Sequence, residues 1–294
     1  MKISVLINNF NYGRFLKACV DSALGQAHAD FEVVVVDDGS TDESREIIDG
    51  YGNRIVPVLK ANGGQASSFN AGFAHATGEI ICLLDADDAF LAGKLERIAA
   101  LYADDALDWC FDRVTTDEDA ITPETLQLTP IDKREAMRRG GFPSLPVPTS
   151  GLSFRRRVLQ QILPMPVAQD VVLSDNYLKF AAAYLGRGVI INTPLTFQRI
   201  HTQNRYTGQS QANPLKPRIM VATGLALAQR YPELDKVGAS LAAGGFAQGD
   251  LKGRALWHEL RRVTRDAPNP RAAAWDLRAR VALKRMRAAI GPKP

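Results

Sequence analysis

The first 115 residues alternate short apolar runs with segments of helical pattern. The runs predict strands at 3–7, 31–36, 55–59 and 79–84, with helices at 13–24, 42–50, 65–75 and 92–101 between and after them. Runs such as 33–36 and 80–84 are apolar without alternation, which is typical of central parallel strands covered by helices on both faces. Because crossovers between parallel strands are right-handed, the series predicts a doubly wound, mostly parallel α/β sheet with a Rossmann-like half.

After residue 115 the pattern weakens. Residues 115–148 are rich in Thr, Pro, Asp and Arg and predict loops with one short helix near 133–139. A helix at 175–185, a strand at 189–191 and an alanine-rich helical segment from 219 follow. We therefore expect three regions, at 1–115, 116–204 and 205–294, of which the last is a helical C-terminal tail.

Charge separates the tail from the rest. The net charge is +4, yet residues 205–294 hold 17 Lys and Arg against 6 Asp and Glu, whereas residues 1–204 hold 19 against 26. The three cysteines are far apart in apolar surroundings, as expected of reduced thiols. No apolar run is long enough to span a membrane, and the N-terminal apolar run is too short for a signal peptide. These features predict a cytoplasmic protein, with a peripheral position at the inner membrane face as an option for the basic tail.

Polar residues follow the predicted strands at the edge where parallel α/β sheets bind ligands. Asp85, Asp87 and Asp88 crowd three carboxylates into four residues, and a divalent cation is the usual means of holding such a cluster, with a diphosphate completing its coordination. The alternative is an ordinary acidic turn before a helix. An EF-hand is excluded, because Phe90 occupies the position that requires glycine.

A second acidic pair, Asp37 and Asp38, ends the second predicted strand. Either carboxylate can accept a hydrogen bond from a nucleobase N–H or a ribose hydroxyl. A turn with a helix cap accounts for residues 39–42 but not for the two adjacent aspartates. Neither GxGxxG after the first strand nor GxxxxGK[ST] anywhere is present, which argues against a dehydrogenase or a P-loop enzyme.

Four segments in order resemble the successive signatures of the family 2 glycosyltransferases: 4–16 (SVLINNFNYGRFL), 34–42 (VVVDDGSTD), 62–72 (NGGQASSFNAG) and 78–88 (GEIICLLDADD). The resemblance implies a glycosyltransferase A-type fold, with 1–115 as the nucleotide-sugar-binding half and 116–204 as an acceptor-side region completing the catalytic domain. It implies metal-dependent, inverting transfer from a nucleoside-diphosphate sugar, with UDP favoured, to a hydroxyl of a saccharide or lipid-linked saccharide. Cell-surface polysaccharide or glycolipid synthesis is the expected setting.

The resemblance also implies roles for particular residues. Asp85 and Asp87, with His201 from a later Arg-x-His segment, would coordinate Mn²⁺ or Mg²⁺. The residues implied to contact the donor are Asn9, Phe10, Tyr12, Asp37, Asp38, Asn70 and Asp85. Two departures from the family pattern are visible: Asn8-Asn9 replaces the common Pro-Thr, and Phe69 replaces a common arginine, which leaves phosphate neutralisation to groups such as Lys60 or Arg199.

The catalytic base implied by the resemblance is Asp175, with Asp170 as the second choice. An acceptor hydroxyl needs such a carboxylate, since it is a poor nucleophile at neutral pH. The alternative for Asp175 is a cap of the helix that follows it, and for His201 a structural role in a loop.

The tail carries apolar residues at helical spacing, namely Trp275, Ala279, Leu283, Met286 and Ile290. A basic amphipathic helix of this kind either lies on an anionic membrane or packs its apolar stripe on the protein. No nucleic-acid-binding module accompanies the charge. Two other functions stay open: an inactive sugar-nucleotide-binding protein, and a nucleotidyltransferase, which the single glycine in residues 8–14 disfavours.

Overall fold

The structure is a computed structural model. It describes residues 1–167, 173–202, 204 and 215–290. The strands are β1 (Ile3–Asn9), β2 (Phe31–Asp37), β3 (Val56–Leu59), β4 (Ile80–Asp85), β5 (Ala89–Phe90), β6 (Trp109–Thr115), β7 (Leu128–Ile131), β8 (Leu152–Arg155) and β9 (Gly188–Phe197). The helices are α1 (Gly13–Leu24), α2 (Ser44–Asp49), α3 (Gly64–His75), α4 (Lys94–Leu101), α5 (Arg134–Arg138), α6 (Arg156–Ile162), α7 (Asp175–Leu185), α8 (Leu215–Arg230), α9 (Asp235–Gln248), α10 (Gly253–Val263) and α11 (Pro270–Ile290).

The strands form a single mixed sheet in the order β3-β2-β1-β4-β8-β6-β9-β5, with β7 paired to β9. Strands β1 to β4 are parallel, as the apolar runs predict. The second half adds antiparallel pairs, because β8 runs against both β4 and β6, and β5 and β7 run against β9. The predicted α/β fold class with C-terminal helices is confirmed, and the antiparallel strands come from the segment where periodicity was weakest.

The sheet is buried on both faces by the helices that connect its first strands. Val5 and Ile7 of β1 lie in one core with Leu16 and Val20 of α1. On strand β1, Leu6 points to the opposite face, where it contacts α3. A Cβ on Gly72 of α3 would come within 2.7 Å of the Leu6 side chain, so glycine lets this helix approach β1 closely. The carboxyl ends of β1, β2 and β4 are thereby held in fixed positions.

The described chain separates into two compact units. Unit 1 comprises 1–134, 143–167 and 178–208 and contains the sheet, and unit 2 comprises 135–142, 168–177 and 209–294 and contains helices α8 to α11. The division into functional regions at 115 and 204 stays a prediction. No helix within the described ranges is both long and apolar enough to cross a membrane.

Unit 2 is held together partly by backbone-to-backbone contact between α8 and α9. A Cβ on Gly238 would lie 2.4 Å from the carbonyl oxygen of Gly224, and the reverse distance is the same. At Gly245 the added atom would lie 2.3 Å from the carbonyl oxygen of Pro217. Values below 3.0 Å are steric clashes, so the glycines at this contact, which we call the α8–α9 seam, set the distance between the two helices.

Helix α11 packs through a different stripe from the one that the sequence pattern singles out. Its buried residues are Ala274, Leu277 and Val281, and the latter two join a core with α9 and α10. By contrast, Trp275, Leu283 and Met286 are 58%, 48% and 62% exposed. The helix is therefore both a packing element of unit 2 and the carrier of an exposed apolar face.

Candidate active site

Three strand ends bring polar residues into one row in unit 1. The register pairs Asn9 of β1 with Asp37 of β2 on one side. On the other side Asn8 pairs with Asp85 of β4. The strand order β2-β1-β4 therefore unites the two acidic motifs that lie about fifty residues apart in the sequence. This is the edge at which open α/β sheets bind ligands.

Asp37 is fully buried, and three donors hold its carboxylate. Asn9 Nδ2 donates to its Oδ1 at 3.0 Å, while the Ser40 backbone N–H and Arg45 Nε donate to Oδ2 at 3.1 Å and 2.9 Å. Burial alone would raise the pKa of this carboxyl, but hydrogen bonds from Ser40, Arg45 and Asn9 outweigh it and lower the pKa. Asp37 is thus an ionised residue that fixes the loop after β2.

Asp38 joins that loop to the start of α3. Its carboxylate accepts the backbone N–H groups of Gly63 and Gly64 at 2.9 Å and 2.8 Å, and it forms an ion pair with Lys60. Asn62 Nδ2 donates to the Asp38 carbonyl oxygen at 2.9 Å. A single carboxylate therefore organises the loop between β3 and α3, and it places the Lys60 ammonium beside the strand ends.

The segment predicted to lie against the nucleobase follows β1 directly. Phe10 is 45% exposed, and Asn11 adopts a left-handed backbone with φ of 56°. The strain of this conformation is offset locally, because the Asn11 side-chain oxygen accepts the Thr41 backbone N–H at 2.8 Å. Phe10 is consequently presented at the surface of unit 1 beside the Asp37 loop, where a flat ligand group can contact it.

Asp87 meets His201 and Asn204, which lie more than a hundred residues further along the chain. Asp87 is buried, and its Oδ2 lies 3.1 Å from His201 Nε2 and 3.2 Å from Asn204 Nδ2. The His201 ring packs on Phe15 of α1 with ring centroids 4.7 Å apart and against Tyr12 at 5.6 Å. The structure therefore brings together two of the three predicted metal ligands, Asp87 and His201, and adds Asn204, which the sequence analysis did not single out.

Asp88 points away from this group into the interior. Ser150 Oγ donates to its Oδ2 at 2.6 Å, and the Arg199 backbone N–H donates to Oδ1 at 3.0 Å. Burial, with the neighbouring Asp87 charge, raises the pKa of Asp88 to about 7. The three carboxylates thus differ in surroundings: Asp85 is partly exposed, Asp87 faces His201, and Asp88 anchors the segment that carries Arg199 and His201.

The described residues include no group of three or more His, Cys, Asp or Glu arranged to hold a metal ion. The chemistry of the donor set still fits one, because a carboxylate and an imidazole nitrogen already face each other and both are ligands that Mn²⁺ accepts. Asn8, between Asp85 and the Asp37 strand, has a buried amide with no hydrogen-bond partner in the described part of the chain. Buried polar atoms without partners are costly, which is consistent with an edge built for a polar ligand.

Other predicted residues have different surroundings. The Asn70 side chain forms two hydrogen bonds with the Met165 backbone, at 2.9 Å and 2.7 Å, and so ties α3 to the segment after α6. Asp175 is the first residue of α7, is partly exposed and belongs to unit 2. Asp170 lies outside the described residues. The functional roles of Asn70 and Asp175 stay predictions.

A buried ion pair behind the acidic loop was not anticipated. Lys94 and Asp112 are 1% and 0% exposed and lie 2.8 Å apart. Lys94 also donates to the Ser150 carbonyl oxygen at 2.9 Å and to Thr196 Oγ1 at 2.6 Å, and Ser150 in turn holds Asp88. The one available signal was Asp112, a charged residue directly after the apolar run 109–111.

A parallel α/β edge carrying paired aspartates and a histidine is an arrangement suited to a nucleotide-sugar transferase. The model of the family described as Glycosyl transferase family 2 matches residues 4–163. An uncharacterized glycosyltransferase from Nostoc sp. is 34% identical over 229 residues, covering 72% of this chain and 69% of that protein. The chain therefore belongs to glycosyl transferase family 2 and is a glycosyltransferase.

Solved structures agree on the fold. S. aureus TarS is similar with a TM-score of 0.63 at 16% identity, covering 97% of this chain and 54% of that chain. A mannosyltransferase from Pyrobaculum calidifontis, solved in complex with GDP-Man and Mn²⁺, is similar with a TM-score of 0.52 at 19% identity, covering 97% and 86%. A structure of TarS residues 1–349 contains UDP-GlcNAc, and its TM-score is 0.60 at 18% identity, covering 97% and 92%. The chain thus spans about half the length of the TarS chain.

Proposed function

We propose that the chain transfers a sugar, with inversion, from a UDP-sugar to a hydroxyl of a saccharide or lipid-linked saccharide, in a reaction that depends on Mn²⁺ or Mg²⁺. The observation that carries the proposal is the row of strand ends that brings Asn9 and Asp37 next to Asp85, with Asp87 facing His201 at 3.1 Å. Cell-surface polysaccharide or glycolipid synthesis is the setting that suits such a transfer.

The proposed reaction assigns a distinct task to each of the following residues. Phe10 and the Asp37–Asp38 loop bind the nucleoside, and Tyr12 supports the His201 ring. Asp87 and His201, with Asp85, are the residues that would hold the cation. When bound, the cation supplies electrostatic stabilisation to the departing diphosphate. Asp175 accepts the proton of the acceptor hydroxyl, which makes that oxygen a competent nucleophile.

The donor half of the proposal is tested by thermal unfolding. Because a ligand that binds only the folded state raises the melting temperature, UDP-sugars with Mn²⁺ should raise it more than GDP- or dTDP-sugars. Asp87→Ala should lose the Mn²⁺-dependent part of that shift, whereas the control Asp119→Ala, which alters an exposed loop, should retain it. Equal shifts in the presence of a chelator would contradict metal dependence.

The transfer half is tested by donor hydrolysis. A catalytically inactive binding protein would give the thermal shifts without releasing UDP, whereas the proposed enzyme should release UDP slowly from UDP-sugar and Mn²⁺ alone. Absence of UDP release at saturating donor, across the panel of sugars, would favour the binding protein. The readout is free UDP, so the acceptor need not be identified beforehand.

We also propose a peripheral contact with anionic membranes through the second half of α11. The supporting observation is that Leu283 and Met286 are exposed apolar residues on a helix that also carries the exposed Arg287. Such a face inserts shallowly among lipid headgroups while the cations attract anionic lipid. The contact would bring the enzyme to a lipid-linked acceptor.

A further inference from the structure

Unit 2 contains a concave cleft between α10 and the start of α11. Its volume is about 1080 Å³. In the described part of the chain, its lining holds five arginines, one histidine, one proline and two tryptophans, and no acidic residue. The arginines are Arg254, Arg261, Arg262, Arg265 and Arg271. The cleft therefore concentrates positive charge around an aromatic floor.

The floor is a pair of tryptophans held in place by a cation. The rings of Trp257 and Trp275 have centroids 4.9 Å apart, and the Arg278 guanidinium lies 5.4 Å and 5.1 Å from them. Contacts of this kind orient aromatic rings without burying them. Trp275 is 58% exposed, so its apolar surface faces solvent at a cost that a ligand would remove.

The walls are held by the turn that joins the two helices. Thr264 caps this turn, because its Oγ1 donates to the Leu260 carbonyl oxygen at 2.8 Å and lies 3.3 Å from that of Pro270. Leu260 and Leu277 belong to the core that packs α10 and α11 together. The cleft is thus formed by packed helices, which lowers the entropic cost of binding.

Among the residues that the structure describes, few carboxylates neutralise the charge of the walls. Glu259 forms an ion pair with Arg262 at the edge of the cleft. Within the described ranges, no carboxylate lies in ion-pair distance of Arg254, Arg261, Arg265 or Arg271, and all four are exposed. Guanidinium groups bind carboxylate and phosphate oxygens through paired hydrogen bonds, so an anionic ligand would satisfy them.

The geometry points to a second saccharide site: the α10–α11 cleft binds an acidic saccharide chain, with its carboxylate or phosphate groups on the arginines and sugar rings on the tryptophans. This inference rests on the proposed function, since a transferase that extends a saccharide needs to retain it. The C–H face of a sugar ring is apolar and matches an exposed indole. A cleft of about 1080 Å³ lies at the upper end of the ~300–1,000 Å³ typical of ligand sites, and so has room for more than one linked sugar. Its concave shape favours a chain that enters it over a flat bilayer.

Tetragalacturonic acid is a suitable probe for the full-length protein, with maltotetraose as its neutral counterpart. Binding is followed by calorimetry and by tryptophan fluorescence, to which Trp109 contributes little change because it is fully buried. We expect tetragalacturonic acid to bind and quench fluorescence, with maltotetraose at least about tenfold weaker, since charge-assisted bonds are lost.

Two double variants and one single variant separate the contribution of charge from that of stacking. Arg265→Gln/Arg271→Gln should weaken binding about tenfold or more. The control Arg218→Gln/Arg280→Gln removes the same charge from positions of unit 2 outside the cleft lining and should change probe binding by less than about twofold. Trp275→Leu should weaken binding while preserving its salt dependence, because stacking is lost and charge is kept.

The inference is overturned if tetragalacturonic acid does not bind, or if Trp275→Leu and both arginine pairs have equal effects. It is also overturned if only vesicles of phosphatidylglycerol, or only a twelve-residue oligothymidylate, bind in a cleft-dependent manner. UDP and Mn²⁺ binding is measured on the same variants. If the probe does not bind but UDP does, only the saccharide site in the cleft is contradicted. If UDP does not bind but the probe does, only the proposed function is contradicted.

Discussion

Unit 1 buries Asp37, Asp38 and Asp112 and surrounds them with donors. Unit 2 instead exposes four arginines of its cleft, which have no carboxylate within ion-pair distance in the described part of the chain. Asp37, Asp38 and Asp112 each accept hydrogen bonds or ion pairs from neighbouring residues at the sheet edge or behind it. Arg265 and Arg271 line an open cleft. The buried charges of unit 1 hold their side chains in place before a ligand binds, because a buried ion is costly unless it is paired. The exposed arginines of the cleft in unit 2 can instead pair with a ligand.

Replacing the proposed base in unit 2 should give the largest effect. Asp175→Asn should lower turnover by about 10²–10⁴-fold, because the acceptor hydroxyl loses its proton acceptor, with donor binding little changed. Donor titration followed by a transfer assay measures both. Asp235→Asn is a matched control, since Asp235 is likewise the first residue of a helix. Near-normal turnover in Asp175→Asn, with loss in Asp170→Asn, would exchange their roles; activity in both would place the base elsewhere.

Breaking the buried Lys94–Asp112 pair of unit 1 should give the second largest effect, a loss of stability. Lys94→Met leaves Asp112 as an uncompensated buried charge, which typically lowers the free energy of unfolding by about 3–5 kcal/mol. Denaturant unfolding measures it. The matched control is Lys17→Met in the exposed Lys17–Asp21 pair, for which we expect about 0–1 kcal/mol. An equal loss of unfolding free energy in both variants would contradict the distinction between buried and exposed charge.

A smaller effect is expected for the nucleotide loop. Asp38→Asn retains the shape of the side chain but loses the charge that faces Lys60, Gly63 and Gly64. UDP and UDP-sugar should weaken by a similar amount, about 1.5–3 kcal/mol for one charge-assisted hydrogen bond. Calorimetry with both ligands decides the matter, using Asp119→Asn as the control. Unchanged UDP affinity would restrict Asp38 to its structural role.

The smallest effect on the folded protein should come from the exposed face of α11. Leu283→Ser/Met286→Ser removes apolar surface that is already in solvent, so the free energy of unfolding should change by less than about 0.5 kcal/mol. Binding to anionic vesicles at low salt should nevertheless decrease. Point substitutions are needed, because deleting α11 would also remove Leu277 and Val281 from the core of unit 2. Equal vesicle binding by both proteins would contradict the membrane contact.

The sequence predicted the parallel half of the fold well, because β1 to β4 are continuous apolar runs whose ends carry polar motifs. The sequence could not predict that the Asn9 side-chain amide would donate to Asp37, or that Asp38 would accept the Gly63 and Gly64 N–H groups. These contacts depend on the register of the strands. The family resemblance implied that Asp87 and His201 serve one metal site, but the sequence did not predict their direct contact. Asn204 was not identified because its partner Asp87 lies 117 residues earlier in the sequence. The Lys94–Asp112 pair was not identified because Asp112, although it follows an apolar run, does not by itself indicate which cation it pairs with.

The α8–α9 seam has a consequence for how this sequence can drift or be engineered. Replacing a helical glycine by alanine usually stabilises a protein by about 0.4–1 kcal/mol, because the unfolded chain loses freedom. At Gly224 and Gly238 the added methyl would meet a carbonyl oxygen at 2.4 Å, and the two helices would have to separate. Helix propensity thus favours alanine at these positions, whereas the close contact between the helices excludes it. A variant with this substitution would have to repack both helices at once.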